Sequence, residues 1–269
     1  MRSPLKWAGG KKRVVDDILK IMPIKNKKRL VEPFVGGGSV FLNTDFDEYL
    51  LIDMNKDLIE LFNIIKYQAV DFIKDAAIFF KGNFNQADKY YTLRQTFNES
   101  NDTYERSLLF LYLNRHGYNG LCRYNKGGGY NVPFGRYKHP YFPKVELQFF
   151  AEKAQRAIFQ QGDFATAFEA IQANDVIYCD PPYSPINRTA NFTAYAGNVF
   201  TDADQQRLVD CALRAKIQGI PTVISNHHVD FTRQLYRQAN KKSFFQVQRS
   251  ISQQGKGRVK VKEVLALYK

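Results

Sequence analysis

The sequence has little cysteine, little histidine and no long apolar run, and each shortage argues against a class of protein. The three cysteines, Cys122, Cys179 and Cys211, are too few and too scattered for a disulfide framework or a zinc site. The four histidines show no metal-ligand spacing, so no bound metal is expected. No apolar run approaches the length that crosses a membrane, and residues 1–7 lack the apolar segment of a secretion signal. We therefore expect a cytoplasmic protein that binds neither a membrane nor a metal.

Basic residues, in contrast, are abundant. The 39 lysines and arginines outnumber the 26 aspartates and glutamates, which gives a formal net charge of +13, and aromatic residues make up 14% of the chain. A basic chain rich in tyrosine, arginine and asparagine is a candidate for binding nucleic acid. Charge alone leaves open a second interpretation, in which the basic surface only keeps the protein soluble. With 269 residues, the chain is long enough for one large domain or for one domain with an insertion.

The most informative stretch, residues 176–183, reads Val-Ile-Tyr-Cys-Asp-Pro-Pro-Tyr. Its first half is a short apolar run, which is typical of a fully buried strand. The two prolines have no N–H to donate to a ladder, so they end the strand and hold Asp180 in an extended conformation. Asp180 and Tyr183 are thereby predicted at the carboxyl end of a buried strand, where open α/β sheets bind their ligands. The alternative is an ordinary turn in which Asp180 caps the next helix.

This tetrapeptide suits a reaction at a planar amine conjugated to an aromatic ring. Such an amine is a weak nucleophile because its lone pair is delocalised. The Asp180 carboxylate and the Pro181 carbonyl are placed to accept its two N–H groups, which would draw the nitrogen toward a pyramidal shape with its lone pair aimed at an electrophile. Tyr183 is placed to stack on the ring. Catalysis of this kind rests on positioning and electrostatics rather than on a general base.

A second motif predicts a nucleotide pocket. Residues 30–35 form a short apolar strand, residues 36–39 read Gly-Gly-Gly-Ser, and the apolar residues after them indicate a helix. This arrangement opens the nucleotide-binding half of doubly wound folds, although its spacing departs from the dinucleotide fingerprint, so NAD is not implied. The next strand, residues 48–52, ends in Asp53. Asp53 is placed to accept hydrogen bonds from ribose hydroxyls or, alternatively, to cap the helix that starts near residue 55.

The rest of the sequence divides into a helical part, a glycine-rich basic part and a second α/β part. Helical stripes continue from residue 55 to about 115, and residues 114–138 then become glycine-rich, basic and aromatic. A hairpin is predicted around residues 127–129, and the arginines, amides and rings near it suit base edges, phosphates and stacking; the alternative is an irregular surface loop. From residue 144 the α/β pattern returns, with strands at 157–159 and 221–226 and helices at 164–172 and 202–217. We interpret the polar residues 188–200 as a lid, and 244–247 and 259–268 as a closing strand pair around a turn at 255–258.

These motifs together resemble the Dam family of DNA adenine-N6 methyltransferases. The resemblance runs over nearly the whole chain, and the motifs keep the family's order of cofactor loop, recognition segment and catalytic tetrapeptide. It is carried by Lys-Trp-Ala-Gly-Gly-Lys at 6–11, Val-Glu-Pro-Phe-Val-Gly-Gly-Gly-Ser-Val-Phe-Leu-Asn at 31–43, Leu-Asn-Arg-His-Gly-Tyr-Asn-Gly-Leu-Cys-Arg-Tyr-Asn at 113–125, Asn-Val-Pro-Phe-Gly-Arg-Tyr at 131–137 and Asp-Pro-Pro-Tyr at 180–183.

The resemblance implies an α/β fold, in which a Rossmann-like methyltransferase sheet with a reversed final strand carries an inserted, mainly helical DNA-recognition domain with a β-hairpin. The catalytic domain is expected at 1–55 and 145–269, and the recognition domain at 56–144. S-adenosylmethionine is the expected methyl donor and GATC in double-stranded DNA the expected target. Because a duplex buries the adenine amine, the base has to be flipped out. No metal is needed, because the methyl sulfonium is already activated.

The resemblance also assigns roles to individual residues. The catalytic set is Asp180, Pro181, Pro182 and Tyr183. Cofactor contacts fall to Trp7, Lys11, Asp53 and Asp180, to which we add Glu32, Phe34, Gly36, Gly38 and Ser39 from the glycine loop. Base recognition falls to Lys6, Leu121, Arg123 and Pro133, while Tyr118 and Asn119 enter or brace the DNA near the displaced base. Arg94, Asn125, Arg115 and Arg136 complete the DNA-binding set, the two last as phosphate contacts. Two positions depart from the family: His116 replaces a common tyrosine, and Gly37 replaces a frequent alanine, a change expected to be harmless.

Two other functions compete with this interpretation. A cytosine-N4 or RNA adenine methyltransferase would use a similar tetrapeptide, and methylation assays on GATC duplexes and on RNA would separate them. A non-catalytic DNA-binding protein that keeps a relic of the fold is the second competitor. A relic would be expected to have lost Asp180, the prolines or the glycine loop, all of which are present. Methyl transfer that depends on the cofactor would decide between enzyme and relic.

Overall fold

The computed structural model of the chain describes residues 1–185, 194–195, 198–248 and 260–269. The interpreted lid at 188–200 therefore lies largely outside the described residues, and the turn at 255–258 lies wholly outside them. Within these ranges the strands are β1 Arg29–Glu32, β2 Glu48–Asp53, β3 Ala157–Gln161, β4 Asp175–Cys179, β5 Ala194–Tyr195, β6 Asn198–Val199, β7 Thr222–His227, β8 Lys241–Gln248 and β9 Lys260–Tyr268.

The helices connect the strands in a largely alternating order. They are α1 Val15–Ile21, α2 Lys56–Ala76, α3 Ala87–Glu99, α4 Thr103–His116, α5 Lys144–Ala154, α6 Phe164–Glu169, α7 Asp202–Ile217 and α8 Asp230–Leu235. Short 3-10 turns at Lys11–Arg13, Phe41–Asn43 and Tyr118–Gly120 lie in the segments that carry the predicted site residues. Most of the predicted helices and strands are found; the helix predicted after the glycine loop is not, and the short helix α8 and the two-residue strands β5 and β6 were not expected.

Seven strands form one sheet in the order β3-β2-β1-β4-β7-β9-β8. The first five strands of this order are parallel, and β9 runs antiparallel to both of its neighbours, β7 and β8. The predicted methyltransferase sheet with a reversed final strand is thereby confirmed. The reversal follows from connectivity, because the consecutive strands β8 and β9 pair directly, whereas parallel neighbours require a crossover connection.

The central strands β1 and β4 are buried along their whole length. Burial on both faces explains why consecutive residues inside them, Leu30-Val31 and Val176-Ile177, are apolar instead of alternating with polar ones. Their register is fixed at the amino end by a buried pair, in which Arg29 Nε and Nη2 donate to the Asp175 carboxylate at 2.9 and 2.8 Å. The carboxyl ends of β1 and β4 are therefore held side by side, which places the segments after them together.

Helices α2, α3 and α4 and the segment 117–143 are inserted between β2 and β3. The first half of α2 packs on the sheet layer through Phe62, whose ring lies 4.6 Å from Phe150 and 5.3 Å from Phe159. A departure from helical geometry at Gln68 kinks α2 beyond this contact. One hydrophobic core runs from the sheet into the inserted helices and includes Phe97 and the other buried residues of α3 and α4. The segment 117–143, called the recognition segment below, is thus anchored on the same core as the sheet.

Two local predictions were wrong in detail. Residues 117–143, all of which are described, contain no strand, and the hairpin at 127–129 is a turn closed by a single bridge between Tyr124 and Tyr130. The Tyr130 ring is buried in the core, where its hydroxyl donates to the Leu121 carbonyl at 2.9 Å, so the chain folds around side chains instead of extending a ladder. The glycine loop leads into a 3-10 turn rather than a helix. Asn43 and Thr44 side chains take the carbonyls that further helical turns would use.

Candidate active site

Three acidic residues lie at one edge of the sheet. Glu32 ends β1, Asp53 ends β2, and Asp180 directly follows β4. Because the carboxyl ends of neighbouring parallel strands meet at the same edge, these three side chains surround one crevice, as open α/β sheets require for a ligand site. The strand-end position predicted for Asp180 is confirmed.

The Asp180 carboxylate is held through one of its two oxygens. Lys11 Nζ lies 3.0 Å from Asp180 Oδ1, and the Ser225 hydroxyl donates to the same oxygen at 2.8 Å. Among the described residues, none donates a hydrogen bond to Oδ2. Lys11 also donates to the Gly9 carbonyl and lies 4.6 Å from the centre of the Tyr183 ring. One oxygen of Asp180 is thus anchored, and the other is left for a donor from a ligand.

The Tyr183 side chain is held at its hydroxyl and at one edge. Its hydroxyl lies 3.0 Å from both Ser225 Oγ and Glu263 Oε2, and its ring meets the His227 ring edge-on at 4.8 Å. Burial, with the nearby Asp180 charge, raises the pKa of Tyr183, so the phenol stays neutral at physiological pH. A neutral, fixed ring beside Asp180 is suited to stacking against a flat aromatic substrate.

The turn after Asp180 is held by a buried amide network that the sequence did not reveal to us. Asn226 Oδ1 accepts from the Ser184 N–H at 3.0 Å, and Asn226 Nδ2 donates to Gln205 Oε1 at 3.1 Å. Gln205 Nε2 in turn donates to the Pro182 carbonyl at 2.8 Å. The available signal was the polar pair Ser225-Asn226 that directly follows Val223-Ile224 in a buried strand, since polar residues in a buried strand need partners.

The glycine loop is shaped to receive the Trp7 ring. Gly36 and Gly38 adopt positive φ angles of 48° and 71°, which favour glycine. A Cβ on Gly36 would lie 2.8 Å from Trp7 Nε1, and one on Gly37 would lie 2.8 Å from Trp7 Cβ. The change from alanine to glycine at 37, expected to be harmless, in fact makes room for this approach, because an alanine there would require Trp7 to shift. Ser39 lies at the end of the same loop, beside Gly10.

Two acids at the sheet edge, Asp53 and Glu32, lie beside this glycine loop, and Asp53 bonds to it directly. Asp53 Oδ2 accepts from the Gly36 N–H and Oδ1 from the Asn55 N–H, both at 2.9 Å, and burial raises the pKa of Asp53. Glu32 is only 2% exposed, and burial, followed by the charge of Asp180, raises its pKa well above the usual range. Its Oε1 atom has no hydrogen-bond partner among the described residues. A buried acceptor without a partner is consistent with a ligand donor at this position.

An aromatic wall closes the crevice on the side of β1 and β3. Phe34 stacks on Phe164 with ring centres 5.4 Å apart, and Phe200 meets both rings edge-on. Phe164 was missed by the sequence analysis. The available signal was its position, because Asp163-Phe164 follows β3 at the edge where Asp53 and Asp180 follow their own strands.

Lys6 joins the N-terminal segment to the recognition segment. The Asn114 side chain bonds to both backbone groups of Lys6 at 2.8 Å and donates to the Gly120 carbonyl at 3.2 Å. Lys6 Nζ lies 3.6 Å from the centre of the Tyr137 ring and donates to the Arg115 carbonyl at 3.2 Å. Gly120 has φ 61°, and a Cβ there would overlap Lys6. The structure thus brings the predicted base-reading lysine against the segment predicted to enter the DNA.

In the recognition segment, the 3-10 turn Tyr118–Gly120 forms an exposed tip. Tyr118 is 49% exposed, and Asn119 beside it adopts φ 54°, with its N–H donating to the Tyr137 hydroxyl at 2.9 Å. Arg123 is exposed and anchored by Asn131, whose side-chain oxygen accepts from Arg123 Nε at 2.7 Å. The other predicted DNA contacts of this segment are the exposed Asn125 and Pro133 and the half-buried Leu121.

The three remaining predicted DNA contacts have different surroundings. Arg94 donates to the Val132 carbonyl at 3.0 Å, and Arg115, which is largely buried, donates to the Tyr141 carbonyl at 3.0 Å. Both side chains therefore hold the backbone of the recognition segment. Arg136 is exposed and adopts φ 53°. Of these three arginines, Arg136 is the one whose side chain is most accessible to a phosphate.

The histidines, taken with the rest of the described chain, offer no metal cluster. No group of three or more histidine, cysteine, aspartate or glutamate residues suited to a metal occurs in the described ranges. His116 is buried against the Tyr112 ring, with Nδ1 3.0 Å from the Tyr112 carbonyl, and burial lowers the pKa of His116 to about 4. Among the described helices, none is long and apolar enough to cross a membrane.

Lys6 gives a prediction for pH. Burial, followed by the charge of Arg115, lowers the pKa of Lys6 to about 8, so in the free protein its positive charge is present below pH 8 and is lost as the pH rises through that value. We expect affinity for duplex DNA, measured by fluorescence anisotropy, to fall between pH 7.5 and about 9.5. A Lys6→Arg variant keeps its charge across this range. An equal loss of affinity in the variant would show that another group is responsible.

Comparison with known proteins identifies the family of this chain. The family model described as D12 class N6 adenine-specific DNA methyltransferase matches residues 7–251. A DNA adenine methylase of Vibrio cholerae serotype O1 is 53% identical over 268 residues, covering 99% of this chain and 96% of the relative. The DNA adenine methylase of Escherichia coli strain K12 is 52% identical over 268 residues, covering 100% and 95%. The rRNA methyltransferase aviRa from Streptomyces viridochromogenes covers 97% of this chain and 88% of its own at 9% identity, with a TM-score of 0.40, which carries no functional argument.

Proposed function

The chain belongs to the D12 class of N6 adenine-specific DNA methyltransferases and so methylates adenine in DNA; we propose that its methyl donor is S-adenosylmethionine and its target the adenine of GATC in duplex DNA. One observation carries the proposal: an Asp180 carboxylate with an open oxygen lies at the sheet edge that also holds the glycine loop and Asp53. The recognition segment is packed against the same edge through Lys6. We place this activity in the cytoplasm, on the DNA of the nucleoid, for an enzyme encoded by a bacterium or a phage.

The residues of the crevice fit the proposed donor. Asp53 offers carboxylate oxygens to ribose hydroxyls, and the stacked rings of Phe34 and Phe164 offer an apolar wall to a purine. Glu32, with its unpartnered oxygen, suits the ammonium of the amino-acid end, while the Lys11 ammonium suits the carboxylate. S-adenosylmethionine, when bound, supplies a methyl group already activated by its sulfonium charge. A metal is not required for that chemistry.

The proposed catalytic step depends on Asp180 and its neighbours. Asp180 Oδ2 and the Pro181 carbonyl accept the two N–H groups of the adenine amine, which releases its lone pair from conjugation with the ring. Tyr183 stacks on the purine and fixes its plane. Both acceptors are attached to a strand end and a proline turn, so little reorganisation is needed when the substrate arrives.

The base must leave the helix to reach this site. Tyr118 and Asn119, at the exposed tip, are proposed to occupy or brace the space that the adenine leaves. Lys6, Leu121, Arg123 and Pro133 are proposed to read the flanking bases. Arg136 and the other exposed cations are proposed to contact phosphates, so binding should weaken steeply with salt.

A paired substrate experiment tests the proposed specificity. The protein is incubated with methyl-labelled S-adenosylmethionine and either of two duplexes of the same length and composition, one containing GATC and the other the permuted site GTAC. Label should accumulate in the first duplex only. Equal labelling of both duplexes would remove the GATC assignment but leave adenine methylation standing.

Asp53 gives a second prediction. If its carboxylate binds ribose hydroxyls, Asp53→Ala should weaken S-adenosylmethionine binding about tenfold, because hydrogen bonds to a charged group contribute more than neutral ones. Calorimetry on wild type, Asp53→Ala and the exposed control Asp47→Ala measures this effect. Asp53→Asn keeps a side-chain oxygen for one of the loop N–H groups and separates a direct contact from loop support. If Asp53→Ala binds S-adenosylmethionine as tightly as wild type, Asp53 does not contact the ribose, and its role is limited to its bonds with Gly36 and Asn55.

A further inference from the structure

The Ser225 hydroxyl touches both catalytic side chains from a rigid strand. We propose that Ser225 is a positioning residue for methyl transfer, which fixes the Asp180 carboxylate so that Oδ2 is the oxygen that receives the adenine amine. The inference rests on the proposed role of Asp180. None of the motifs that resemble the Dam family includes Ser225.

The location of Ser225 makes it a rigid anchor. It lies in β7, the neighbour of β4 in the sheet, and the register pairs Cys179 with the preceding residue, Ile224. The residue beyond each partner is therefore adjacent across the two strands, which sets Ser225 next to Asp180. Ser225 is fully buried, so its side chain is held by packing on all sides.

The hydrogen-bond valence of Ser225 fixes its direction. Its Oγ lies 2.8 Å from Asp180 Oδ1, 3.1 Å from the Tyr178 hydroxyl and 3.0 Å from the Tyr183 hydroxyl. A serine hydroxyl has one proton and two lone pairs. An ionised carboxylate only accepts, so the Ser225 proton points to Asp180 Oδ1, which is closer than the Cys179 carbonyl at 3.4 Å, and the Tyr178 hydroxyl donates to a lone pair of Ser225. The single Tyr183 proton is shared between Ser225 Oγ and Glu263 Oε2, both at 3.0 Å, so the bonds to Asp180 and Tyr178 are the ones that fix the orientation of the Ser225 hydroxyl.

The anchoring of Oδ1 decides which oxygen faces the substrate. Lys11, the other partner of Oδ1, carries a flexible side chain and is proposed to contact the methyl donor. Ser225 is the short, strand-borne partner, and its bond remains when Lys11 moves to a ligand. The Asp180 carboxylate can then no longer rotate freely, and Oδ2 keeps its orientation toward the crevice. The same serine also bonds to Tyr183, so the proposed amine acceptor and the proposed stacking ring share one anchor.

The test is the single-turnover rate of methyl transfer with saturating donor and DNA. Ser225→Ala removes the tether, and we expect this rate to fall by on the order of 10²-fold, the effect of a small misplacement of a reacting group. Dissociation constants for S-adenosylmethionine and DNA should change less than about twofold, since Ser225 is proposed to contact neither. Ser225→Thr keeps the hydroxyl and should restore most of the rate.

A companion variant separates positioning from packing. Ser225→Ala leaves the buried Tyr178 hydroxyl without its acceptor, whereas Tyr178→Phe removes that hydroxyl and leaves the bond from Ser225 to Asp180 intact. Tyr178→Phe should react at nearly the wild-type rate, and Tyr178→Phe/Ser225→Ala should be as slow as Ser225→Ala. A wild-type rate in Ser225→Ala, or recovery of the rate in the double variant, would overturn the inference.

A failure of this inference can be told apart from a failure of the proposed function. Asp180→Ala is measured in the same assay. If Asp180→Ala is inactive while Ser225→Ala reacts normally, the proposed catalytic step stands and only the positioning role falls. If Asp180→Ala reacts normally, the catalytic step itself is wrong, and the positioning role falls with it.

Discussion

Asp180→Ala is expected to abolish methyl transfer while DNA binding survives. The carboxylate is the proposed acceptor for one N–H of the adenine amine, and without it the lone pair stays delocalised into the ring. Loss of a single preorganised hydrogen-bonding group in an active site typically costs about 10²–10³ in rate, and loss of amine orientation adds to that. Single-turnover methylation measures the effect, and anisotropy with a GATC duplex measures binding.

Two controls make this result interpretable. Asp230→Ala removes a carboxylate from an exposed surface ion pair and should leave the rate unchanged. Asp180→Asn keeps one carbonyl oxygen as an acceptor and should retain more activity than Asp180→Ala. Methylation by Asp180→Ala at a rate near that of wild type would rule out the proposed catalytic step.

Arg123→Ala is expected to relax discrimination at one outer G·C pair of the site. Arg123 Nε and Nη2 both donate to Asn131, which leaves Nη1 and the second Nη2 proton as a fork that has no hydrogen-bond partner among the described residues. Such a fork matches the O6 and N7 acceptors of guanine in the major groove. Loss of that contact should cost about 1–3 kcal/mol on GATC and little on a site altered at the pair that Arg123 reads.

Arg136→Ala is the contrasting variant. Arg136 is exposed in the same segment and is a proposed phosphate contact, so its loss should weaken binding to all sequences alike and reduce the salt dependence. Rates on GATC and on each single-pair variant of it provide the comparison. If Arg123→Ala shows the same ratio of rates as wild type, Arg123 does not read a base.

Local chemistry made the sheet and the catalytic motif predictable. Short apolar runs ended by glycine or proline identified β1 and β4, and an acid after β2 and β4 identified Asp53 and Asp180. Each of these signals lies within a few neighbouring residues. The amphipathic stripe of α2 was equally local, whereas α4 has no such stripe because its residues 109–116 are all buried. Strand β9 was also predicted from its own residues, whereas its reversed direction in the sheet came from the family resemblance.

The partners that complete the site could not be predicted in the same way. Ser225 lies 45 residues from Asp180, and Glu263 lies 80 from Tyr183, so only the fold brings them together. Charge patterning also could not show that Arg94 and Arg115 donate to backbone carbonyls of the recognition segment. A basic residue in a basic segment looks the same in sequence whether it holds the chain or contacts DNA.

The most direct test of the central claim is the identity of the methylated nucleoside. The protein is given S-adenosylmethionine with a labelled methyl group and a duplex that contains one GATC site and many other adenines and cytosines, and the product is digested and resolved by mass spectrometry. We expect N6-methyladenine as the sole labelled nucleoside, one per strand, located in GATC, and none with Asp180→Ala. Label on cytosine, on adenines outside GATC, or in the Asp180→Ala reaction would contradict the account.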